Sequence, residues 1–470
     1  MKELADIADA QRFLRQNRRP IYYVGHTTHH LLGMDAWVNG FTYICRVDCF
    51  DGRHPNIFAP PGIGHDDVPE EEVVNRLLRN KDVTDLIARR GGSPAAVFLM
   101  FDEETEALCA DLGIEIWFPP ASARARFGDK VATVRLGDAA GVPSVPNALA
   151  RVEAYEGLLQ TADRAGLGRD LVVQTPFGVS GQSTFFIANE AEWQQRASQI
   201  AAEREVKIMK RIDCRSSTLE ACVTACGTVV GPLLSEIIGH EDLTPKEGAW
   251  YGNEVFPEAF TEEVRAKARD HAAMLGDQLL KDGYRGYFDV DFLIDQDNGE
   301  VYLGEVNPRV TGASPITSRA DRTGLPLFLF HLLEFSGVGL KLDIEALNAR
   351  WADPRCIVSC SELVVASVED EQSIVTDAPP SGIWRLSHEG EVTYRRFDYL
   401  GSVGTDSDSE HEAFFLRVTG PGDVRFRGAG LGILITPGRL TTDDGKLNHT
   451  ARAWVHGLTA HYRTRPLKSQ

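Results

Sequence analysis

Two β-rich runs, Gly286-Tyr287-Phe288-Asp289-Val290-Asp291-Phe292 and Glu305-Val306-Asn307-Pro308-Arg309, flank the tripeptide Asp297-Asn298-Gly299. Asn-Gly between apolar-rich runs is a strong short-range signal for a β-hairpin. Pairing centred on Asn298 sets Asp291 opposite Glu305 and Leu293 opposite Leu303 on one face. On the other face Val290 meets Val306, Phe292 meets Gly304 and Ile294 meets Tyr302. That second face is apolar and is expected to pack, while the first carries two carboxylates with Asn307 one step beyond. Opposed side chains in such a ladder have Cβ atoms about 4.5–5.5 Å apart. Two carboxylates that close repel by about 4 kcal/mol at an effective dielectric of roughly 20. The pattern is either an acidic hairpin facing solvent or a pair held together by a cation. Two carboxylates and an amide carbonyl form an all-oxygen set, which suits a hard ion, Mg²⁺ or Mn²⁺, that also binds phosphates.

Composition limits what surrounds this hairpin. A chain of 470 residues is long enough for two or three domains with sizeable cores. The net charge of −19 argues against nucleic acid or an anionic membrane as partner, since both need a basic surface. No signal peptide is visible in the charged segment 1–20, and the apolar stretch Leu325–Phe335 is too short to span a bilayer. Eight cysteines are too few for a disulfide scaffold. Cys45/Cys49, Cys222/Cys226 and Cys356/Cys360 recur at i, i+4 in β-like runs, which would put each pair on one strand face. Buried free thiols in a reducing cytoplasm are the expectation.

Along the chain, residues 1–120 alternate strand and helix, with strands at Ile21–Val24, Thr42–Val47, Ala95–Phe101 and Ile114–Phe118. Asp102-Glu103-Glu104 suits the first turn of a helix ending near Gly113. This alternation predicts a small parallel α/β domain. His26, His29 and His30 fall in the loop after its first strand, where they either approach a ligand or are simply exposed. Asp129 can cap a helix from Lys130 to Gly141. Two β runs then surround Thr175–Ser183, a helix is expected from Glu190, and strands at Val206–Ile212 and Thr218–Val223. Thr261 can cap a long helix ending near Gly283. From about 350 onward the chain reads as mostly β, with a final amphipathic helix carrying Leu447, Trp454 and Leu458. Gly428-Ala429-Gly430-Leu431-Gly432 precedes a β run and reads as a turn. Glu236 and His240 sit near an expected loop, as a general base, substrate contacts or merely solvated groups.

The order of parts resembles the ATP-grasp superfamily, in particular its biotin-carboxylase-like and carboxylate–amine ligase branches. The resemblance covers roughly 95–335. It rests on Gly128-Asp129-Lys130, on Tyr284-Arg285-Gly286 with Asp291, and on Glu305-Val306-Asn307-Pro308-Arg309. It implies an α/β (α+β) chain in three parts. These are an N-terminal parallel α/β domain (1–120), a two-lobed nucleotide clamp (121–345, small lobe about 145–212) and a β-rich C-terminal segment (346–470). By position, Lys130 corresponds to the first phosphate lysine, at a helix N-terminus that also favours anions. Gly178, Ser180 and Gly181 resemble the loop over the triphosphate, or form an ordinary hairpin turn. Lys210, Arg211 and Ile212 fall where the family contacts adenine and ribose. Asp291, Glu305 and Asn307 match the Mg²⁺ ligands, and Arg309 the arginine that stabilises charge on the reacting group. Asp289 lies on the same strand face, and Thr311–Ser314 could cradle a substrate carboxylate.

Two positions depart from the family pattern. Gln174 stands where a lysine is usual, so that strand end brings no charge, and replacing it with lysine is expected to tighten ATP binding. Met209 stands where an acidic residue is usual, so adenine recognition would fall to backbone groups of Arg211 and Ile212. The resemblance implies an ATP- and Mg²⁺-dependent (or Mn²⁺-dependent) carboxylate–amine ligase, in which Glu305 and Arg309 act on the reacting atoms. It would form an amide or peptide bond through an acyl phosphate. The partners would be small-molecule amino-acid- or peptide-like substrates, with a homodimer as the candidate assembly. A bicarbonate-phosphorylating carboxylase and a non-catalytic ATP-binding regulator are the alternatives.

Overall fold

Apolar runs broken by acidic helix starts build the first layer. The computed structural model describes residues 3–4, 6–63, 68–178, 183–240, 243, 248–322, 325–399 and 411–467. Strands Ile57–Phe58, Phe41–Cys45, Ile21–Gly25, Ala95–Phe98 and Glu115–Ile116 lie side by side in that order, every neighbouring pair parallel. Helix Glu103–Asp111 starts on a capping box: the Asp102 carboxylate accepts from the Thr105 backbone, and Thr105 accepts from the Asp102 N–H. The loop leaving Ile21–Gly25 carries the three histidines at the carboxyl end of the sheet.

A second, four-stranded antiparallel sheet runs Asn147–Ala150, Val206–Lys210, Leu171–Gln174, Thr184–Ile187. Helices Tyr155–Ala165 and Glu190–Ala201 cover one face, and Val173, Ile187, Trp193 and Ile208 form a core of its own. On the other face Val145, Val172 and Met209 pack with Ile212, Leu293 and Tyr302. The hairpin strand Val301–Asn307 is tied to the approach to this lobe, because the Leu303 N–H donates to the Pro143 carbonyl (2.8 Å).

The third sheet has ten strands. It begins with the hairpin strands Val301–Asn307 and Gly286–Asp295 and continues through Cys214–Thr224, Gly227–Ile238 and Trp250–Val255. It then passes to Cys360–Ala366, Gly430–Pro437, Glu412–Arg417, Gly382–Leu386 and Val392–Arg396. The boundary drawn at 345/346 is therefore not a sheet boundary: Gly252–Val255 pairs with Cys360–Leu363. Strand pairing between residues a hundred positions apart leaves no trace in local composition. Helix Glu262–Lys281, capped by Thr261, buries Val264, Ala268, Ala272, Leu275 and Leu279 in the same core as Val290 and Phe292. Each large apolar side chain buried this way contributes roughly 1.5–3 kcal/mol.

Helix Phe328–Phe335 locks the start of the carboxylate-bearing hairpin. His331 accepts the Tyr287 N–H at Nδ1 (3.0 Å) and places Nε2 2.6 Å from the Trp117 carbonyl of the N-terminal domain. Gly286, at φ +100°, passes so close that a Cβ there would sit 2.6 Å from His331 Nδ1. Among the described residues no helix is long and apolar enough to cross a membrane.

The cysteine expectation changes in one respect. All eight are free, five of them buried, but the i, i+4 partners do not share strand faces. Cys49 lies beyond the strand that ends at Cys45, Cys226 lies in a hairpin turn, and Cys356 lies in a helical turn before Cys360.

Candidate active site

The hairpin pairs Asp289 with Asn307, Val290 with Val306 and Asp291 with Glu305, as the turn signal predicts for this end. Beyond Asp291 the register slips by one. Phe292 faces Leu303, Leu293 faces Tyr302 and Ile294 faces Val301, in place of the expected Gly304, Leu303 and Tyr302 partners. Gly304 is the extra residue, and its backbone runs where a Cβ would lie 2.9 Å from the Asp291 carbonyl. The bulge has a packing cause. It turns Leu303 and Val301, both fully buried, into the core and leaves Tyr302 toward the small lobe.

Around the paired carboxylates negative charge accumulates. Burial, then the charges of Asp289, Glu236 and Glu305, push the Asp291 carboxyl well above its ordinary range. Burial with the neighbouring Glu220 raises Asp289 to about 7. Glu236 rises to about 8 through burial and the charges of Asp289 and Glu305. It is a strand residue facing the cleft, not the solvated loop group considered from the sequence. Burial alone would raise Glu305 too, but the Lys130 ammonium, 2.5 Å from its Oε2, holds it below its ordinary value. Lys130 reaches this position from the first turn of helix Lys130–Ala140, where Asp129 accepts from the Val131 and Ala132 N–H groups. Asn307 donates to Asp289 (3.1 Å) and Asp291 (3.3 Å), and its Oδ1 accepts from Arg309 Nη2 (3.0 Å).

Asp291, Glu305, Asn307, Lys130 and Arg309 thus meet in one place, on the wall of a cleft of about 1150 Å³. Among the described residues no three His, Cys, Asp or Glu side chains close a metal cage by themselves. The set offers two carboxylates and an amide oxygen inside an acid-rich wall, a donor chemistry that fits a hard divalent ion completing its shell from phosphates.

The small lobe supplies the opposite wall. Gln174 lines it, donating to Thr184 Oγ1 (3.1 Å), while its Oε1 is buried with no partner among the described residues. Lys210 and Arg211 are exposed; the Arg211 guanidinium lies 4.8 Å over the Phe186 ring. The Arg211 N–H, expected from the sequence to face adenine, donates instead to the Asp170 carbonyl (3.0 Å), because the chain folds back onto the neighbouring strand there. Gly178 borders the cleft, whereas Ser180 and Gly181 lie outside the described residues.

Sequence reasoning missed two residues here. Lys207, fully buried, sits directly across from Gln174 and donates to the Gly304 carbonyl (3.3 Å). Burial lowers it to about 8, against the pull of Glu305. Glu220, also fully buried, accepts from Tyr287 Oη (2.7 Å), Thr311 Oγ1 (3.0 Å) and Ser314 Oγ (2.5 Å), and so fixes the Thr311–Ser314 loop behind Asp289. Gly312 is required in that loop because Trp250 lies where a Cβ would be. The available signal was a charged residue inside an otherwise apolar strand, Val206-Lys207-Ile208 and Leu219-Glu220-Ala221. Such a residue is retained when something buried pairs with it.

The N-terminal domain contributes His29, His30, Glu70 and Glu71 to the cleft lining. His29 Nε2 lies 2.9 Å from the buried Glu362 and joins that domain to the ten-stranded sheet. Glu70 accepts the His26 N–H (2.8 Å), and burial raises its carboxyl to about 7.

Comparison with known proteins bears on this geometry. The family model for "Carbamoyl-phosphate synthase L chain, ATP binding domain" matches residues 257–343, the long helix and the hairpin. The biotin carboxylase of Campylobacter jejuni aligns at TM-score 0.61 over 95% of this chain and 92% of that one, at 13% identity. The chain has the ATP-grasp fold. The biotin carboxylase domain of the Hydrogenobacter thermophilus 2-oxoglutarate carboxylase shares the ATP-grasp architecture at TM-score 0.59 and 15% identity (95% and 91% covered). Among curated proteins, biotin carboxylase 1 of Bacillus subtilis is 23% identical over 299 residues, covering 62% of this chain and 64% of that enzyme. The methylcrotonoyl-CoA carboxylase alpha subunit of Glycine max is 24% identical over 276 residues, covering 57% and 36%. The chain therefore spans less than two thirds of either curated relative.

Proposed function

We propose that this ATP-grasp chain is an Mg²⁺–ATP-dependent ligase that activates bicarbonate by phosphorylation and passes the carboxyl group to an acceptor. The observation carrying this reading is the convergence of Lys130, Asp291, Glu305, Asn307 and Arg309 on one cleft wall. Bound Mg²⁺ supplies charge neutralisation between the nucleotide phosphates and the carboxylates. Asp291, Glu305 and the Asn307 amide oxygen would hold it. Lys130 leaves Glu305 for the phosphates, and Arg309 stabilises the negative charge that builds on the reacting acid. Val145, Val172 and Met209, packed with Ile212, give the cleft an apolar surface on which a flat base can lie.

A bicarbonate oxygen attacks the terminal phosphorus, and ADP leaves. A nucleophile then attacks the carbon, and phosphate leaves. Bicarbonate takes precedence over the organic acid expected from the sequence because the similar proteins are carboxylases and carbamoyl-phosphate synthases by name. The solved Hydrogenobacter domain moreover carries MgADP and bicarbonate. One feature favours the second reading, carboxylate–amine ligation: Glu70, which lines the cleft from the N-terminal domain, offers a carboxylate to an ammonium-bearing acceptor. The test is ADP release with Mg²⁺–ATP in CO₂-free buffer. Restoration by bicarbonate supports carboxylation. Release that needs an organic acid with an amine and ignores bicarbonate moves the reading to the amide ligase.

A further inference from the structure

Resting on the reading of this cleft as a nucleotide site, we propose that Lys207 supplies the second positive charge for the nucleotide's phosphates, in place of a lysine at position 174. Lys207 and Gln174 are direct partners in an antiparallel pair. Their side chains therefore leave the sheet on the same side, about 4.5–5.5 Å apart at Cβ. Gln174 lines the cleft, and Lys207 is rooted one strand behind it.

The surroundings of Lys207 are those of a cation waiting for an anion. Its side chain is fully buried, with the ammonium on the Gly304 carbonyl at 3.3 Å. Among the described residues it forms no ion pair; the adjacent carboxylate, Glu305, is held by Lys130 at 2.5 Å. A buried ammonium on a single long bond to a carbonyl is costly, and the cost is removed when an anion arrives. Beside it, the Gln174 amide spends its N–H on Thr184 and leaves Oε1 unpartnered.

That orphan acceptor explains glutamine at 174. A rotation of the Lys207 side chain carries Nζ from the Gly304 carbonyl past Gln174 Oε1 to the phosphate end, where Lys130 and Glu305 already stand. A lysine at 174 would set a second ammonium against the first. While Lys207 is present, Gln174→Lys is therefore expected to gain nothing, in place of the tightening expected from the sequence alone.

The test is equilibrium binding of ATP with Mg²⁺, followed by calorimetry on the full chain, with thermal unfolding alongside. Lys207→Met is expected to weaken ATP binding roughly 10- to 100-fold, the worth of one charge-assisted hydrogen bond. Gln174→Lys alone gains nothing. The relocated pair, Gln174→Lys with Lys207→Gln, recovers most of the lost affinity. ATP binding by folded Lys207→Met as tight as in the parent chain overturns the proposal, as does tightening by Gln174→Lys alone or a relocated pair no better than Lys207→Met. If Lys207→Met does not fold, the parent chain, Gln174→Lys and the relocated pair decide. A parent chain that binds no ATP overturns the nucleotide reading itself; a parent chain that binds, with Lys207→Met unaltered, overturns only the role of Lys207.

Discussion

Replacing Glu305 by glutamine keeps the side-chain volume and removes one charge from the centre of the cleft. Glu305 Oε2 lies 2.5 Å from Lys130 Nζ, with the two side chains 24% and 7% exposed. At that separation and an effective dielectric of about 20, the attraction is roughly 6–7 kcal/mol. Desolvation of both groups offsets much of it, so the stability lost is about 2–3 kcal/mol. The effect with metal present is larger, because the ion carries twice the charge of Lys130 and the amide oxygen returns none of it. Turnover should fall about 10²- to 10³-fold or more, the scale of losing one preorganised electrostatic partner in a water-poor site. Asp291 loses a repelling neighbour at the same time, so its carboxyl ionises more readily and metal binding survives at higher Mg²⁺. The assay is ADP release against Mg²⁺ concentration, with circular dichroism to confirm folding. A folded Glu305→Gln variant with near-normal turnover and an unchanged Mg²⁺ requirement would show that the hairpin carboxylates do not hold the metal.

Three further outcomes follow from the same geometry. Mg²⁺ should bind more tightly as pH rises from about 6 to about 8, because Asp289 (about 7) and Glu236 (about 8) lose their protons in that range. Calorimetric titrations at the two ends check this, and equal affinities would contradict it. His331, lowered to about 3 by burial, is neutral in the fold but titrates near 6.5 when unfolded. Its contribution is therefore complete above pH 6.5 and is lost as pH falls toward 3. His331→Gln should flatten that acid limb in denaturant titrations, and an unchanged limb would exclude His331 as its source. Gly286→Ala should destabilise by about 2–4 kcal/mol, from the left-handed backbone and the clash with His331 and Phe335. A thermal midpoint equal to that of the parent chain would rule out this packing.

The hairpin, its apolar face and the Asp291–Glu305 pair were legible because they depend on two short runs and the turn between them. The Lys130 helix was equally legible: Asp129 caps it, and Gly141 closes it in the left-handed conformation. Helix starts at Asp102 and Thr261 follow the same local chemistry, since a cap is a hydrogen bond across two or three residues. The Gly304 bulge was not legible. The two strands alone admit both registers, and the core beneath them chose the one that buries Leu303 and Val301.

What the amino-acid order determined by itself, then, was each element and the chemistry along it, including which strand carries paired carboxylates. Only the tertiary structure decided which distant groups share that chemistry. It set Lys207 beside Gln174 and behind Glu305, Glu220 under Asp289, and Glu236 among the acids. Those neighbours come from strands 33 to 98 positions away. Capping and alternation act over a few residues, whereas burial and charge act through space, and it is they that move Asp289 and Lys207 from their ordinary protonation ranges.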